Sequence, residues 1–128
     1  MSTFIILVID DSKADFDLIA LSIQSALGSS VTLHHAVSMD QAAEKIKEND
    51  YSLILHDLYL PPWGPESIVE TYKTAPDIPI VAMSGTSSAN LHRTAVSNGA
   101  KLFCSKSDLS GGNIASILRQ VVPEILQP

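Results

Sequence analysis

A single cysteine, Cys104, cannot close an internal disulfide, so the chain has to be held together by its core. Aromatic residues make up only 5% of the sequence, and that core must therefore be built from Ile, Leu, Val and Ala. There is no run of Lys or Arg, and the net charge is -6. A phosphate backbone needs a basic stripe, so nucleic acid is excluded as a partner. No stretch approaches the roughly 18 apolar residues of a membrane span. The apolar run Phe4 to Ile9 is too short for a secretion signal, lacks a preceding basic residue and ends in two aspartates. With one thiol and no targeting segment, the expectation is a soluble, cytoplasmic protein with no membrane contact.

What is present fits one domain covering residues 1–128, with 45% hydrophobic residues to fill one core. Five short apolar runs recur: Phe4 to Ile9, Val31 to His35, Leu53 to His56, Ile80 to Met83 and Leu102 to Cys104. Runs of this length between turn residues predict strands buried on both faces of a parallel sheet. Each is followed by a helical pattern. Phe16, Ile19, Ile23 and Leu27 recur at helical steps before Gly28. Ser38 and Gln41 predict a capping box ahead of Ala42, Ala43 and Ile46. Pro65 predicts a first helical position, with Glu66 in the first turn and Ile68, Val69 and Tyr72 behind it. Leu91, Ala95 and Val96 precede the stop signal Asn98-Gly99. Ile114, Ile117, Leu118, Val121 and Ile125 form the last stripe, which Pro123 should kink or end. Five strand–helix units imply an α/β fold, a doubly wound parallel sheet with right-handed crossovers.

In such sheets ligands bind beyond the carboxyl ends of the strands. The residues falling there are Asp10 and Asp11 after the first run, Asp57 after the third, Ser84 after the fourth and Lys106 just past the fifth. Three carboxylates in a small space repel one another and raise each other's pKa unless cations neutralise them. Lys106 supplies one positive charge. Magnesium, a hard cation that takes one or two carboxylates plus phosphate oxygens, would supply the rest. A carboxylate beside such a metal can act as a nucleophile toward phosphorus, with metal and lysine neutralising the charge on the transferring oxygens.

These residues resemble the receiver domain of two-component response regulators, in particular its stand-alone, single-domain members. The pieces that carry the resemblance are Ile9-Asp10-Asp11-Ser12, Asp57-Leu58-Tyr59-Leu60-Pro61, Met83-Ser84-Gly85, and Gly99-Ala100 leading through Phe103 to Lys106. Each piece alone is weak; the ordered set covers essentially the whole chain. The resemblance implies a flavodoxin-like sheet with strand order 2-1-3-4-5 and no effector domain. It makes Asp57 the phosphoacceptor, Asp11 a direct magnesium ligand, Asp10 a partly water-mediated one, and the main-chain carbonyl of Tyr59 a further ligand. Ser84 becomes the hydroxyl that bonds a phosphoryl oxygen, Lys106 its cationic partner, Phe103 the switch aromatic and Gly85 the opening for the phosphodonor. It further implies a sensor histidine kinase or phosphotransfer protein as donor and a monomer or weak dimer. An unnamed output protein would read the face of the fourth helix, fifth strand and fifth helix, through residues such as Asn90, Arg93, Lys101 and Phe103. The transfer is self-catalysed, and such domains are not counted as enzymes.

The sequence departs from the family pattern at two places. Ser107 follows Lys106 where most receivers have a cis proline, and a cis bond before Ser costs roughly 2.5–4 kcal/mol, which favours a trans peptide here. The loop Pro61-Pro62-Trp63-Gly64-Pro65 is proline-rich and stiff, with Trp63 beside the site. Tyr59 and Thr86 hold the positions that tune phosphoryl lifetime in the family. His34, His35, His56 and His92 show no metal-ligand spacing and read as structural or surface residues, with His56 pointing away from Asp57 on its strand. Two alternatives stand beside the leading reading. One is a pseudo-receiver acting as a phosphorylation-independent interaction module. The other is a small phosphohydrolase with Asp57 as nucleophile, against which Tyr59 occupies the place of a second acid.

Overall fold

A computed structural model describes residues 4–123. Its strands are β1 (Phe4–Ile9), β2 (Val31–Ala36), β3 (Leu53–Asp57), β4 (Ile80–Ser84) and β5 (Leu102–Ser105). The helices are α1 (Lys13–Leu27), α2 (Met39–Glu48), α3 (Ser67–Thr74), α4 (Ala89–Ser97), α5 (Lys106–Ser110) and α6 (Ile114–Val121), with a 3-10 turn at Gly28–Ser30. All strand pairs are parallel and the order is β2-β1-β3-β4-β5, as expected from the resemblance.

Strand side chains alternate between two apolar layers. Ile6, Val8, Leu53, Leu55, Val81 and Met83 pack with Ile19, Ile23, Leu109, Ile117 and Leu118 on the α1, α5 and α6 side. Leu7, Ile9, Ile54, Ile80, Ala82 and Phe103 pack with Ala42, Ile68 and Ala95 on the α2, α3 and α4 side. Every residue of β3 and β4 is buried, which is why these runs read as continuously apolar rather than alternating. Among the described residues no helix is long and apolar enough to cross a membrane.

Local chemistry sets the helix ends, and several depart from expectation. Ser12 caps α1 by accepting from the Asp15 amide at 3.1 Å, and Gly28 ends it at a φ of 66°. Ser38 caps α2 by accepting from Gln41 N–H at 3.2 Å. The Gln41 side chain accepts from Val37 N–H at 3.0 Å rather than from Ser38, so the capping box is only half formed. Pro65 and Glu66 lie in a turn before α3, closed by Ser67 N–H to Gly64 O and Ile68 N–H to Pro65 O, each at 3.1 Å, while the Glu66 carboxylate accepts from Gly64 N–H at 2.8 Å. Tyr72, expected to face inward, is 45% exposed and lies against Gly99, whose φ is 121°. Val96, expected on the inner face of α4, is likewise 45% exposed. The expected fifth helix is two, α5 and α6, and the second ends at Val121 ahead of Pro123. Ile125 lies outside the described residues. The cis peptide joins Pro61 and Pro62, and Lys106–Ser107 is trans.

Candidate functional site

Register brings the acidic residues together. Ile9 of β1 sits opposite His56 of β3, so Asp10, one residue on, is level with Asp57. Asp57 pairs with Met83, and Ser84 with Ser105, so the tips of β1, β3, β4 and β5 end at one height. Alternation sends Asp57 to the side of Leu53 and Leu55, toward α1 and α5, while His56 faces α3. Asp10 is fully buried and Asp57 is 6% exposed, whereas Asp11 is open to solvent.

Lys106 reaches this cluster from the first residue of α5. Ser105 caps that helix: its hydroxyl accepts from Asp108 N–H, while the Asp108 carboxylate accepts from Ser105 N–H. The reciprocal cap fixes the direction in which Lys106 leaves the sheet edge. Its Nζ lies 3.0 Å from Asp10 Oδ2, 2.8 Å from Asp15 Oδ2 and 3.3 Å from Asp57 Oδ2. Burial works against the ammonium, but the hydrogen bond to Asp15, the close ion pair with Asp10 and the charge of Asp57 outweigh it and hold the pKa above the ordinary lysine value. The Asp57 carboxyl is pushed up to about 6, first by burial, and is pulled back in part by Lys106 and by the Tyr59 amide. That amide donates to Asp57 Oδ1 at 3.1 Å.

Asp15 was not expected from the sequence. It lies 91 residues from Lys106, and its one local signal is its place in the first turn of a Ser12-capped helix. The histidines also do more than expected. His35 Nε2 is 2.7 Å from the main-chain oxygen of Asp10, and its ring stacks on Phe16 at a centroid distance of 4.2 Å. His56 Nδ1 donates to the main-chain oxygen of Asp57 at 2.9 Å, and its Nε2 meets the Thr71 hydroxyl at 2.9 Å. A carbonyl only accepts, so the neutral ring carries its proton on Nδ1 and Thr71 donates to Nε2. One buried and one half-buried imidazole thus contact the backbone at both buried aspartates.

Ligand oxygens of Asp10, Asp11 and Asp57 all lie within 4.8 Å of one another. Asp10 Oδ2 is buried with no aligned hydrogen bond, although Lys106 is close. An all-carboxylate donor set with one oxygen left unsatisfied fits a hard divalent cation such as magnesium. Ser84 is nearly buried at the end of β4, and its hydroxyl accepts from Thr86 N–H at 3.5 Å, the limit of a hydrogen bond. Tyr59 is 47% exposed beyond Asp57. Phe103 is buried, with the His92 ring edge-on at 6.4 Å, so it does not line the surface with exposed Asn90, Arg93 and Lys101.

Residues 6–115 match the model of the response regulator receiver domain. The chain belongs to this family. Among solved receiver-type structures it is similar to the chemotaxis protein CheY4 of Vibrio cholerae, with a TM-score of 0.80 and 16% identity over 94% of this chain and 99% of that one. It is similar to a two-component response regulator from Clostridium difficile, with a TM-score of 0.81 and 17% identity over 98% of this chain and all of that one. A response regulator from Burkholderia pseudomallei, solved with a phosphorylated aspartic acid, a calcium ion and citrate, gives a TM-score of 0.75 and 24% identity over 95% of this chain and 68% of that one. At these identities the likeness speaks for the receiver fold alone. No curated protein matches the sequence. The receiver domain is a signalling module of two-component systems, and this one carries three carboxylates and a lysine together at the carboxyl ends of its strands.

Proposed function

We propose that this receiver takes a phosphoryl group on Asp57 from a histidine kinase or phosphotransfer protein, in a reaction that needs magnesium. The observation that carries the reading is the convergence of Asp10, Asp11, Asp57 and Lys106 at one pocket. Asp11, open to solvent, and buried Asp10 would hold the metal with Asp57 and the Tyr59 carbonyl. Bound there, magnesium would neutralise charge on the phosphoryl oxygens. A carboxyl with a pKa near 6 is ionised at neutral pH and poorly hydrated, both of which suit a nucleophile. An Asp57 oxygen attacks phosphorus, the bond from phosphorus to the donor nitrogen breaks, and the donor imidazole keeps the electron pair. Lys106 donates to the phosphoryl oxygens, and Ser84 turns to bond one of them.

Phosphorylation adds charge beside a largely buried acidic pocket whose one cationic side chain, among the described residues, is Lys106. The change at Ser84 passes to Phe103 and to the face of α4, β5 and the helices after it, where an output protein binds. The domain acts as a two-state signalling module, monomeric or weakly dimeric, rather than as an enzyme. The alternative of a phosphorylation-independent module rests on Ser107 and on the proline-rich loop Pro61–Pro65. Lys106 nonetheless comes within 3.3 Å of Asp57 across a trans peptide, which favours the phosphoryl-receiving reading.

Trp63 provides the test. It is 38% exposed and lines a cleft of about 180 Å³ with Met39, Ile46 and Thr71, the last of these bonded to His56. Beryllofluoride with magnesium should shift Trp63 fluorescence in the native protein and leave Asp57→Asn unchanged. Equal responses in both proteins would contradict the reading.

A further inference from the structure

The phosphoryl-receiving chemistry at Asp57 leaves Asp15 without a part, although Asp15 makes the shortest contact to Lys106. Granting that chemistry, on which the Asp15 role depends, we propose that Asp15 is a positioning residue that holds Lys106 over Asp57 once a metal has claimed the other carboxylates. An ammonium has three donors. In this pocket Lys106 meets Asp15 at 2.8 Å, Asp10 at 3.0 Å and Asp57 at 3.3 Å. Only the contacts to Asp15 and Asp57 have hydrogen-bond geometry. Asp10 and Asp57 belong to the cluster with Asp11 that would ligate a cation, and Asp15 does not. A bound cation draws on the charge of Asp10 and Asp57 and weakens their pull on the lysine. Asp15 keeps its full charge.

The backbone that carries Asp15 is held on two sides. The Asp15 amide donates to the Ser12 hydroxyl, and the neighbouring Phe16 is stacked on His35, itself 2.7 Å from the Asp10 carbonyl. The lysine stem is long and flexible, so its head needs such a partner to stay in place. Lys106 starts a helix here, and its direction is fixed by the Ser105–Asp108 cap at one end and by Asp15 at the other. A rival role is that of a brake, withholding the lysine from the phosphoryl group. Against it, Lys106 bonds Asp15 and Asp57 at the same time, so engaging one does not release the other.

The test is a titration with magnesium alone and then with beryllofluoride at saturating magnesium, followed by Trp63 fluorescence. It is run on the native chain, Asp15→Ala, Asp15→Asn, Lys106→Ala and the Asp15→Ala/Lys106→Ala double variant. Asp15→Ala is expected to bind magnesium within about twofold of native and beryllofluoride about tenfold more weakly, the scale of one charge-assisted hydrogen bond. Asp15→Asn, which keeps an acceptor without the charge, should fall between. In the Lys106→Ala background the Asp15 change should add nothing, as a cycle for a residue acting through lysine requires. Native beryllofluoride binding by Asp15→Ala would overturn the proposal, and tighter binding would overturn it in favour of a brake. An undiminished effect in the Lys106→Ala background would overturn it as well, as would an equal loss of magnesium affinity. A native protein that binds magnesium but not beryllofluoride would overturn the phosphoryl-receiving reading, and the Asp15 role with it.

Discussion

The buried imidazole of His56 donates from Nδ1 to the main-chain carbonyl of Asp57, 2.9 Å away. Burial, opposed only in part by that bond, lowers the His56 pKa to about 4. In the unfolded chain the ring titrates near 6.5. Between these values the unfolded state binds more protons, so the His56 contribution is complete above 6.5 and is lost as pH falls toward 4. The gap corresponds to about 3 kcal/mol. His56→Phe should lower stability at pH 7.5 by about 1–3 kcal/mol, because Asp57 O loses its imidazole donor while the Thr71 hydroxyl falls back on the Ser67 carbonyl at 3.2 Å. Urea unfolding should show the difference between the two proteins shrinking as pH drops from 7.5 to 4.5. A constant difference would mean that the ring is not held neutral.

Asp57 behaves in the opposite sense. Its folded pKa, about 6, lies above the ordinary carboxyl value, so the folded state keeps a proton that the unfolded chain has lost. The metal-free protein should therefore lose stability as pH rises from about 4 to about 6. Asp57→Asn should be more stable than native at pH 7.5 without metal, by on the order of 1 kcal/mol after the loss of the Lys106 contact. Thermal melts in a chelator check the sign; a less stable variant would mean that the pocket favours the ionised carboxylate even without a cation.

Magnesium should reverse that ranking. At about ten times its dissociation constant a ligand specific to the folded state adds about 1.4 kcal/mol. The native melting point should rise with magnesium at pH 7.5. It should rise far less at pH 4.5, where Asp57 is protonated, and little in Asp57→Asn. An equal rise in both proteins at both pH values would place the cation elsewhere.

Gly99 follows α4 at a φ of 121°, and a methyl group there would meet Tyr72 Cβ and Cγ at 3.2 Å. Gly99→Ala should destabilise the domain by about 1–3 kcal/mol. Adding Tyr72→Ala should recover only the steric share, leaving the backbone strain. Full recovery would show that the conformation at Gly99 carries no strain.

The sheet was legible because Phe4–Ile9, Leu53–Asp57 and Ile80–Ser84 are buried on both faces, and only such strands read as unbroken apolar runs. The polar tips were harder. Asp57 and Ser84 are the last residues of their strands, where backbone pairing continues after the apolar signal stops. The short helix after β5 had a signal in Ser105-Lys106-Ser107-Asp108, a capping pattern hidden within the lysine motif. Asp15 showed only as an acidic residue in the first turn of a Ser12-capped helix, and His35 left no local trace, since their site contacts depend on how α1 and β2 dock beside β1. Tyr72 matched the helical period of an inward face, yet its ring lies over a glycine at the surface.

The central claim is that Asp57 accepts a phosphoryl group. Incubation with acetyl phosphate and magnesium, read by intact mass, tests it most directly. The native chain should gain one phosphoryl group that is lost in mild base, and neither Asp57→Asn nor a chelated sample should gain any. Failure of the native protein to be labelled, or labelling that survives in Asp57→Asn, would contradict the account.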